Sequence, residues 1–481
     1  SVPRGADLIK VAQNINKPIV VYKSNTTQAG KRAAMSHTAA MSNDEDIIDA
    51  AFEKAGIIRI HNYHDFFAVA KAFKIPPMRG KRIMVMSPAG GFAVMTADLC
   101  EQAGFEFADP GEEFYQGLQK FSNAGVIHFS NPLDLGDIYD PAFTAHVVYS
   151  VMHNPNVDGA VYVSQRPQMP DRESVFSRMF LADLSKETWG AIVSSAKPLG
   201  ICLLGLSRVM AQIKRTVNFP IFNSPEEMVR ALAYQMKFNT RQLRQKQDES
   251  CTVSFDGALQ WIKRNTGEIG EDAMELLTTI DVPVPPSGIA TTETEAVAIA
   301  TRIGYPVVCK LVSKEILHKS DVGGVIVNVT SDDAVKQAFA TIHANVLSHK
   351  HDATIEGVRI SKMAANGVDM FVGSKYDDSF GQVILYGFGG IYVEVFKDVA
   401  CSLCPAPKDE IKEKISKLKS YALLKGARGQ EPKDIDAYVD IIWKLSHLLA
   451  RAPQIKEMDL NPVRVFDTGC QVLDIRIKIV Q

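Results

Sequence analysis

A lysine, a histidine and a pair of glycines follow one another in the segment GYPVVCKLVSKEILHKSDVGGV. The apolar start of this segment predicts a strand that carries Lys310, and a polar turn with His318 comes next. Gly323 and Gly324 then lead into a second predicted strand. An ammonium group neutralises phosphate charge, and backbone N–H groups reach phosphate oxygens where side chains are absent. The segment therefore indicates a triphosphate site, although it is not the GxxxxGK[ST] loop of other nucleotide-binding proteins.

A second histidine of interest, His37, lies far upstream in the small, polar segment AGKRAAMSHTAA. This segment predicts a loop that enters a helical region, and hydroxyl residues flank the histidine on both sides. A phosphorylated histidine needs oriented N–H donors around its dianion, and helix N-termini supply them. The alternative for His37 is a loop histidine held by its neighbouring hydroxyls. For His318 the alternative is a packed or surface side chain, which is the commoner fate of a single histidine.

A third candidate for phosphate binding is the turn Ser87-Pro-Ala-Gly90-Gly91. A buried strand is predicted from Arg82 to Ser87, and a helix is predicted from Phe92 to Gly104. The N-terminus of a helix presents free N–H groups, so Ser87, Gly90 and Gly91 are candidate phosphate ligands. An ordinary tight connection between a strand and a helix has the same sequence pattern.

Oxygen-bearing side chains alternate near the C-terminus in the segment KEMDLNP. Alternation along a strand puts Glu457, Asp459 and Asn461 on one face, and Asp474 on a following strand is in a position to oppose them. Hard oxygen ligands from adjacent strands suit a Mg²⁺ ion that also binds ATP phosphates. The alternative is a solvent-exposed face of an edge strand.

Together these motifs resemble those of the NDP-forming acyl-CoA synthetases, which are relatives of succinyl-CoA synthetase. LHKSDVGGV is similar to a segment of their small ATP-grasp subdomain, and AAMSHTAAM is similar to their phosphohistidine loop. The resemblance implies two catalytic histidines: His318 would accept phosphate from ATP and pass it to His37. It also implies Mg²⁺, ATP/ADP and coenzyme A. Ala39 departs from the pattern, because the family usually has glycine there.

The resemblance also assigns residues to the nucleotide and the metal. It implies that the nucleotide is bound by Lys310, Gly323, Gly324, Ser361, Lys362, Met363 and Asp369. The segment from Ser361 to Met363 would pass the adenine, and Asp369 would meet the ribose where the family usually has Glu. Mg²⁺ would be held by Asn461 and Asp474, with Asp459 in support. Further matches to the family pattern are Gly387–Gly390, Glu394, Asp398 and Arg428-Gly429.

Composition is that of an ordinary globular protein. The chain has 481 residues, of which 46% are hydrophobic and 22% charged, so about three domains are expected. A net charge of −2 gives no electrostatic footprint for nucleic acid or a membrane surface. No apolar run approaches a membrane span, and no signal peptide is recognised. The CxxC pair Cys401 and Cys404 is weak evidence for a metal site, and reduced thiols in a cytoplasmic protein are expected.

Predicted strands and helices alternate along the first half of the chain, which indicates parallel sheets with helices on both faces. The predicted fold class is α/β, with flavodoxin-like, doubly wound parallel sheets followed by the ATP-grasp domain that the resemblance implies. The predicted divisions are residues 1–76, the last part of a flavodoxin-like domain with the phosphohistidine loop; 77–238, a second flavodoxin-like domain; 239–254, a polar linker; and 255–481, the ATP-grasp domain.

The family also has a CoA-binding domain that precedes the region matched by this chain. The sequence is therefore interpreted as a fragment, and the missing N-terminal CoA-binding domain or chain is an expected partner. The other expected partners are a short carboxylic acid, CoA and ATP, in a homodimer or a heterotetramer. No nucleic-acid or membrane partner is expected.

The implied activity is that of an ADP-forming acid–CoA ligase: acid + CoA + ATP ⇌ acyl-CoA + ADP + phosphate, through an acyl phosphate and a phosphohistidine. Acetate, 3-hydroxypropionate and 4-hydroxybutyrate are all compatible with the sequence. Two other functions remain open. An ATP-grasp carboxylate–amine ligase would make acyl phosphate directly and have no use for His37, and a non-catalytic relative would sense nucleotide or acyl-CoA.

Overall fold

The computed structural model describes residues 4–30, 32, 44–120, 129–136, 141–165, 190–217, 219–245, 251–313, 315–316, 319, 321–351, 354–390 and 398–481. The predicted catalytic residues His37 and His318 lie outside the described residues, as does Glu394. The chain divides into two compact units, one within residues 1–10, 40–54 and 249–481, the other within 11–39 and 55–248. Two N-terminal helices have residues in both units: α1 (Gly5–Gln13) and α2 (Glu45–Ala55).

The unit within residues 11–39 and 55–248 is built from parallel strands and helices. Its strands are β1 (Val20–Tyr22), β2 (Ile58–Ile60), β3 (Arg82–Ser87), β4 (Glu106–Phe107), β5 (Leu133–Asp134), β6 (Gly159–Gln165), β7 (Leu199–Leu204) and β8 (Ile221–Phe222). Its helices are α3 (Asp65–Ala72), α4 (Gly90–Gln102), α5 (Glu112–Gln119), α6 (Pro141–His153), α7 (Ser207–Thr216) and α8 (Pro225–Gln245). One parallel sheet has the order β4-β3-β6-β7-β8, with β5 beside β3, and a separate parallel sheet pairs β1 with β2.

Strand β3 shows why this sheet needs helices on both faces. Met84 and Met86 pack into one hydrophobic cluster, and Ile83 and Val85 pack into another. All four side chains are fully buried, because successive side chains of a strand point to opposite faces and each face is covered. This arrangement confirms the predicted doubly wound parallel sheet.

The unit that contains residues 249–481 is built on antiparallel sheets. Its strands are β9 (Gly267–Ile269), β10 (Ser287–Ala290), β11 (Val307–Val312), β12 (Val325–Val329), β13 (Gly357–Lys362), β14 (Val368–Asp377), β15 (Gly381–Phe388), β16 (Val399–Leu403), β17 (Ile455–Val465), β18 (Cys470–Val472) and β19 (Arg476–Ile479). Its helices are α9 (Asp256–Arg264), α10 (Met274–Thr278), α11 (Glu293–Ile303), α12 (Asp332–His349), α13 (Lys408–Ser416), α14 (Tyr421–Leu424) and α15 (Ile435–Arg451), with 3₁₀ turns at Glu271–Ala273 and Ala427–Gly429.

These strands form a small and a large sheet. The small sheet has the order β10-β13-β11-β12, and helices α11 and α12 share its hydrophobic cluster. The large sheet has the order β16-β15-β14-β17-β19-β9, with β18 also paired to β17, and α15 buries one face against it. No helix in the described part of the chain is long and apolar enough to cross a membrane.

Helix α11 begins directly after a capping residue, Thr292. Thr292 accepts a hydrogen bond on its side-chain oxygen from the N–H of Glu295 at 3.2 Å. The carboxylate of Glu295 returns to Thr291 rather than to Thr292, and accepts from both its N–H and its hydroxyl at 2.8 Å. The start of the helix is therefore stabilised by a capping box whose return contact is shifted by one residue.

Strand β17 contains a β-bulge at Asn461 and Pro462. In the pairing with β14, Leu460 lies opposite Val372 and Val463 lies opposite Met370. One residue separates the two partners on β14 and two residues separate them on β17, so β17 has one extra residue there. Leu460 and Val463 are buried, whereas the two residues of the bulge are partly exposed. The predicted alternation of exposed and buried side chains along β17 holds as far as Asn461. After the bulge, the next side chain on the same face is that of Arg464.

Two sequence interpretations differ from the structure in detail. Asp474 does not lie on a strand, as predicted, but in the short segment between β18 and β19. Both strands pair with β17, so this segment still lies beside it, and the N–H of Leu473 donates to the carbonyl of Pro462 at 3.0 Å. Helix α8 continues to Gln245, so the first residues of the predicted linker 239–254 are helical.

Candidate nucleotide-binding site

A cavity of about 1280 Å³ lies within the unit that contains both antiparallel sheets. The predicted site residues that line it are Lys310, Ser361, Lys362, Met363, Asp459 and Asp474. The residues predicted to bind the nucleotide or the metal that are described but are not among its lining residues are Gly323, Gly324, Asp369 and Asn461. The structure therefore brings the predicted lysine, the predicted adenine segment and two of the three predicted metal ligands to one cavity.

Lys310 lies on β11 and crosses from the small sheet toward the large one. Its ammonium group donates to the carbonyl oxygen of Leu473 at 3.0 Å, next to Asp474 in the chain. It also lies 3.2 Å from a carboxylate oxygen of Glu271, whose side chain is 5% exposed. These two contacts fix the position of the Lys310 side chain at the cavity wall.

Glu271 binds two further cations that line the cavity. Lys319 Nζ lies 3.4 Å from Glu271 Oε1, and Arg359 Nε lies 3.1 Å from Glu271 Oε2. Burial alone would raise the pKa of Glu271, but the charges of Lys310, Lys319 and Arg359 outweigh it and lower this pKa. Glu271 is therefore a carboxylate that stays ionised in a buried setting because three cations surround it.

The glycine pair shapes the turn before β12. Gly323 has a φ of +64°, which disfavours other residues, and its carbonyl accepts from the side chain of Asn345 at 3.2 Å. The N–H of Gly324 donates to the carbonyl of Lys319 at 2.7 Å, and its carbonyl accepts from the N–H of Leu311 at 2.8 Å. The pair therefore holds the backbone of Lys319 against strand β11.

The predicted adenine segment lies at the end of β13. The ammonium group of Lys362 donates to the carbonyls of Gly304 and Tyr305 at 3.0 and 2.8 Å. The N–H of Met363 donates to the carbonyl of Pro306 at 3.1 Å. Lys362 thus stabilises the start of the neighbouring strand while it lines the cavity together with Ser361.

Asp369, the predicted ribose ligand, is held in a two-point ion pair. Its carboxylate oxygens accept from Nε and Nη2 of Arg464 at 2.7 and 3.0 Å. Arg464 lines the cavity, whereas Asp369 is not among the lining residues. The arginine, which the sequence motifs did not single out, is therefore the member of this pair that lines the cavity.

Two carboxylates approach each other at the large sheet. Asp459 is exposed toward the cavity, and Asp474 is partly buried beside it. Desolvation raises the pKa of each; the charge of Asp474 also raises the pKa of Asp459, and the charge of Glu271 raises that of Asp474. Asn461 accepts a hydrogen bond from the N–H of Gly390 at 2.9 Å. Among the described residues no group of three or more His, Cys, Asp or Glu side chains is arranged to hold a metal ion.

Asp398 of the predicted family pattern has a structural role. Its carboxylate accepts from the N–H groups of Lys419 and Ser420 at 2.9 and 2.7 Å, just before helix α14. Burial raises the pKa of Asp398, but these hydrogen bonds outweigh burial and lower it. Asp398 therefore fixes the chain before α14 and is not among the residues that line the cavity.

The turn of Ser87, Gly90 and Gly91 lies in the other unit, at the start of α4. Ser87 Oγ accepts from the N–H of Ala89 at 3.1 Å and so stabilises the turn. A Cβ atom on Gly90 would lie 2.5 Å from a carboxylate oxygen of Asp134, whereas Gly91 faces open space. A carboxylate thus lies beside the helix N-terminus at which the sequence predicts a phosphate.

Sequence reasoning missed Glu271, Lys319 and Arg359. Lys319 directly follows His318 and was available as a second cation in the same motif. Arg359 alternates with Ser361 along the same strand, so a search for cavity-facing positions of β13 would find it. Glu271 offers no local signal, because it is one acid among several in the segment GEIGEDAME.

Comparison with known proteins places this chain in a family. Residues 263–479 match the model of the ATP-grasp domain, and residues 1–73 match that of the succinyl-CoA ligase-like flavodoxin domain. The chain is 33% identical over 501 residues to the ADP-forming 4-hydroxybutyrate–CoA ligase of Nitrosopumilus maritimus, across 98% of this chain and 68% of the relative. The chain belongs to the ADP-forming CoA ligase family.

Other members of the family are named for a different acid or as a separate subunit. The chain is 33% identical over 487 residues to ADP-forming acetate–CoA ligase I of Archaeoglobus fulgidus, across 99% of this chain and 68% of the relative. It is 41% identical over 206 residues to the beta subunit of acetate–CoA ligase I of Pyrococcus furiosus, across 43% of this chain and 89% of that subunit. The predicted family, α/β fold class and enzyme class of acid–thiol ligase are confirmed. Domain boundaries and site residues stay predictions.

Proposed function

We propose that this chain carries out the ATP-dependent steps of acid + CoA + ATP ⇌ acyl-CoA + ADP + phosphate, through an acyl phosphate and a phosphohistidine. The observation that carries the proposal is the convergence of Lys310, Asp459 and Asp474 on one cavity in the segment that matches the ATP-grasp model. A cavity with fixed cations and adjacent carboxylates suits a metal-bound polyphosphate.

In this proposal Lys310 neutralises charge on the phosphoryl group that is transferred. His318 attacks that group, and His37 receives it and phosphorylates the acid. Each histidine attacks in its neutral form, which is readily populated near pH 7. The roles of the two histidines rest on the sequence motifs alone.

The proposed Mg²⁺ ligands are Asp459 and Asp474, with Asn461 beside them. The donor set fits a hard cation, because two carboxylates line the same cavity, and desolvation and the charge of Asp474 raise the pKa of Asp459. The side-chain oxygen of Asn461 already accepts one N–H and retains a second lone pair. When bound, Mg²⁺ would neutralise phosphate charge.

The proposed nucleotide contacts follow the cavity wall. Ser361, Lys362 and Met363 would pass the adenine. Gly323 and Gly324 would act by shaping the turn that holds Lys319, since they are not lining residues. For the ribose, Arg464 is the cavity-lining member of its pair with Asp369, so Asp369 would contribute through the arginine.

The turn at Ser87, Gly90 and Gly91 is proposed to bind the phosphate of His37. Asp134 limits this proposal, because a carboxylate beside the helix N-terminus competes with an anion for the same N–H groups. The open side of the turn at Gly91 is the better candidate surface.

The acid is unresolved, because two relatives of equal identity are named for 4-hydroxybutyrate and acetate. CoA would bind with the help of a CoA-binding domain or chain outside the given sequence, in a homodimer or heterotetramer. The name of the Pyrococcus beta subunit supports an arrangement in more than one chain for that relative. A cytoplasmic location stays a prediction from composition.

The test is phosphorylation of the protein by ATP labelled in its γ-phosphate. The proposal expects label that is labile in acid and stable in base, as for phosphohistidine. A carboxylate–amine ligase that makes acyl phosphate directly, or a nucleotide sensor, would carry no such label. Absence of label in protein that binds Mg-ATP would contradict the proposal.

A second test uses the given chain alone. We expect it to bind Mg-ATP and to form no acyl-CoA from acetate, 3-hydroxypropionate or 4-hydroxybutyrate, because the proposed CoA domain is absent from it. Acyl-CoA formation by residues 1–481 would show that the CoA site lies within this sequence.

A further inference from the structure

Two cations face each other across the small sheet at the cavity wall. Lys310 on β11 and Arg359 on β13 are direct partners in the antiparallel register, and both line the cavity. Like charges directly opposite each other on one face of a sheet are destabilising. Such a pair therefore needs an anion between its members.

Glu271 provides that anion from outside the sheet. Its Oε1 contacts Lys310 at 3.2 Å and Lys319 at 3.4 Å, and its Oε2 contacts Arg359 at 3.1 Å. Asp272 contacts the outer nitrogen of Arg359 at 2.8 Å and is half exposed. One buried carboxylate thus directs three cationic side chains from three positions of the chain to one point.

The three cations retain donors that a ligand can use. Within the described part of the chain, the ammonium group of Lys319 has Glu271 as its ion-pair partner, and an ammonium carries three N–H donors. The side chains of Lys310, Lys319 and Arg359 are 18%, 19% and 12% exposed. They are thus largely desolvated, so contacts with a phosphate would be stronger than at an open surface.

We propose that Lys319 and Arg359 bind the polyphosphate of the nucleotide together with Lys310, and that Glu271 is the positioning residue that directs the three cations to it. This inference rests on the proposed function, to which it adds two ligands and their support. Because Glu271 already fixes the long cationic side chains before the anion binds, they lose less conformational freedom when it does. The bound anion then shares the cations with Glu271.

Calorimetric titration of the given chain with magnesium tripolyphosphate, and separately with adenosine, tests the two ligands. Lys319→Gln and Arg359→Gln should each weaken tripolyphosphate binding by about tenfold or more, as for loss of a charge-assisted contact. Neither change should alter adenosine binding. Lys336→Gln is the matched control, because Lys336 is half exposed and paired with Asp333 away from the cavity. Unchanged tripolyphosphate binding in both cavity variants would overturn the assignment.

Two changes at Glu271 test the positioning role. Glu271→Gln should weaken tripolyphosphate binding by about tenfold, because the unneutralised cations repel and separate. Glu271→Asp, which keeps the charge, should restore part of the affinity. Loss of both tripolyphosphate and adenosine binding would indicate a merely structural role. Tighter tripolyphosphate binding by Glu271→Gln would mean that Glu271 only competes with the ligand, and would also contradict the inference.

The labelling test of the proposed function can fail independently. Suppose that no phosphohistidine forms, but tripolyphosphate binding depends on Lys319 and Arg359. The phosphate site proposed here would then stand, and the proposed reaction would be contradicted. Suppose instead that labelling is normal and that tripolyphosphate binding is unchanged in both variants. The proposed reaction would then be supported, and the assignment of Lys319 and Arg359 as phosphate ligands would be wrong.

Discussion

The ammonium group of Lys310 donates a hydrogen bond of 3.0 Å to the carbonyl oxygen of Leu473. A side chain of the small sheet thus contacts the segment of the large sheet that carries Asp474. The proposed phosphate ligand and a proposed metal ligand are therefore adjacent in space. A displacement of Lys310 should therefore also displace the segment that carries Asp474.

The first prediction concerns Lys310. Lys310→Met should weaken Mg-ATP binding by roughly 10- to 100-fold, because one charge-assisted contact with phosphate is lost. It should leave adenosine binding within a few-fold of normal, and calorimetry of the purified chain measures both. Lys336→Met serves as the control. A Lys310→Met chain with normal Mg-ATP affinity would remove this lysine from the site.

The second prediction concerns the metal ligands. Asp459→Asn and Asp474→Asn should each lower the Mg²⁺ dependence of ATP binding, while binding of ATP in excess EDTA stays unchanged. Glu457→Gln is the matched control, because Glu457 lies two residues before Asp459 on β17 and also lines the cavity. An effect of the Glu457 change as large as that of the aspartates would indicate a general charge effect.

The third prediction concerns Asp398 and pH. Hydrogen bonds from Lys419 and Ser420 lower the pKa of Asp398 against burial, so the folded state favours its ionised form. Its contribution to stability should be complete above the ordinary pKa of 3.8 and be lost as pH falls through the lowered value.

Urea unfolding measures this contribution. Asp398→Ala should reduce the free energy of unfolding at neutral pH by about 1 kcal/mol, as for loss of a helix-capping side chain. The difference from the parent chain should shrink in acid. Asp378→Ala, at an exposed turn position, should change little at any pH. A difference that persists unchanged in strong acid would contradict the assigned hydrogen bonds.

The fourth prediction concerns the glycine pair. Gly323→Ala should destabilise the chain by about 1–2 kcal/mol, because its φ of +64° is left-handed. Gly324→Ala should weaken tripolyphosphate binding, since a Cβ there would lie 2.9 Å from the carbonyl of Lys319 and displace it. Gly117→Ala, in α5 and with open space around its Cβ, is the control. Thermal unfolding and calorimetry of the three variants provide the comparison.

The fifth prediction concerns the two histidines, in protein supplemented with its CoA-binding part. His318→Ala should abolish labelling of His37 from ATP and spare its labelling from acyl-CoA and phosphate. His37→Ala should leave at most a small ATP-derived label on His318. In-line transfer requires donor and acceptor within about 3–3.5 Å, so His37 should receive phosphate from ATP only through a group that first accepts it at the nucleotide site. Normal labelling of His37 in the His318→Ala protein would return His318 to a structural role.

Local patterns predicted the elements well where one force dominates. The buried run Arg82–Ser87 forms the predicted strand because both faces of its sheet are covered. Asp474 was predicted on a strand and lies between two, since apolar alternation does not reveal where β18 ends and β19 begins.

The cavity was only partly predictable. Lys310 follows from a strand beside a glycine turn, but the need for Glu271 follows from charges that meet only in three dimensions. Nor does a local motif reveal that Arg464 pairs with Asp369, because the two residues are brought together by the antiparallel register of β14 and β17. Long-range register decides which polar side chains meet, and a single sequence does not encode it in any short pattern.

The extra residue in β17 has a consequence for insertions and deletions. Asp459 and Arg464 differ by an odd number of positions, yet both line the cavity, because the bulge changes the parity of the strand between them. Deletion of Pro462 would place Asp459 and Arg464 an even number of positions apart, so regular alternation without a bulge would keep both on the cavity face. A regular strand that kept all its residues would instead turn the guanidinium of Arg464 into the apolar layer that Val463 and Val465 now fill, and Asp369 would lose its partner. The bulge therefore sets which side chains face the cavity, and this strand should tolerate the loss of one bulge residue better than the insertion of another.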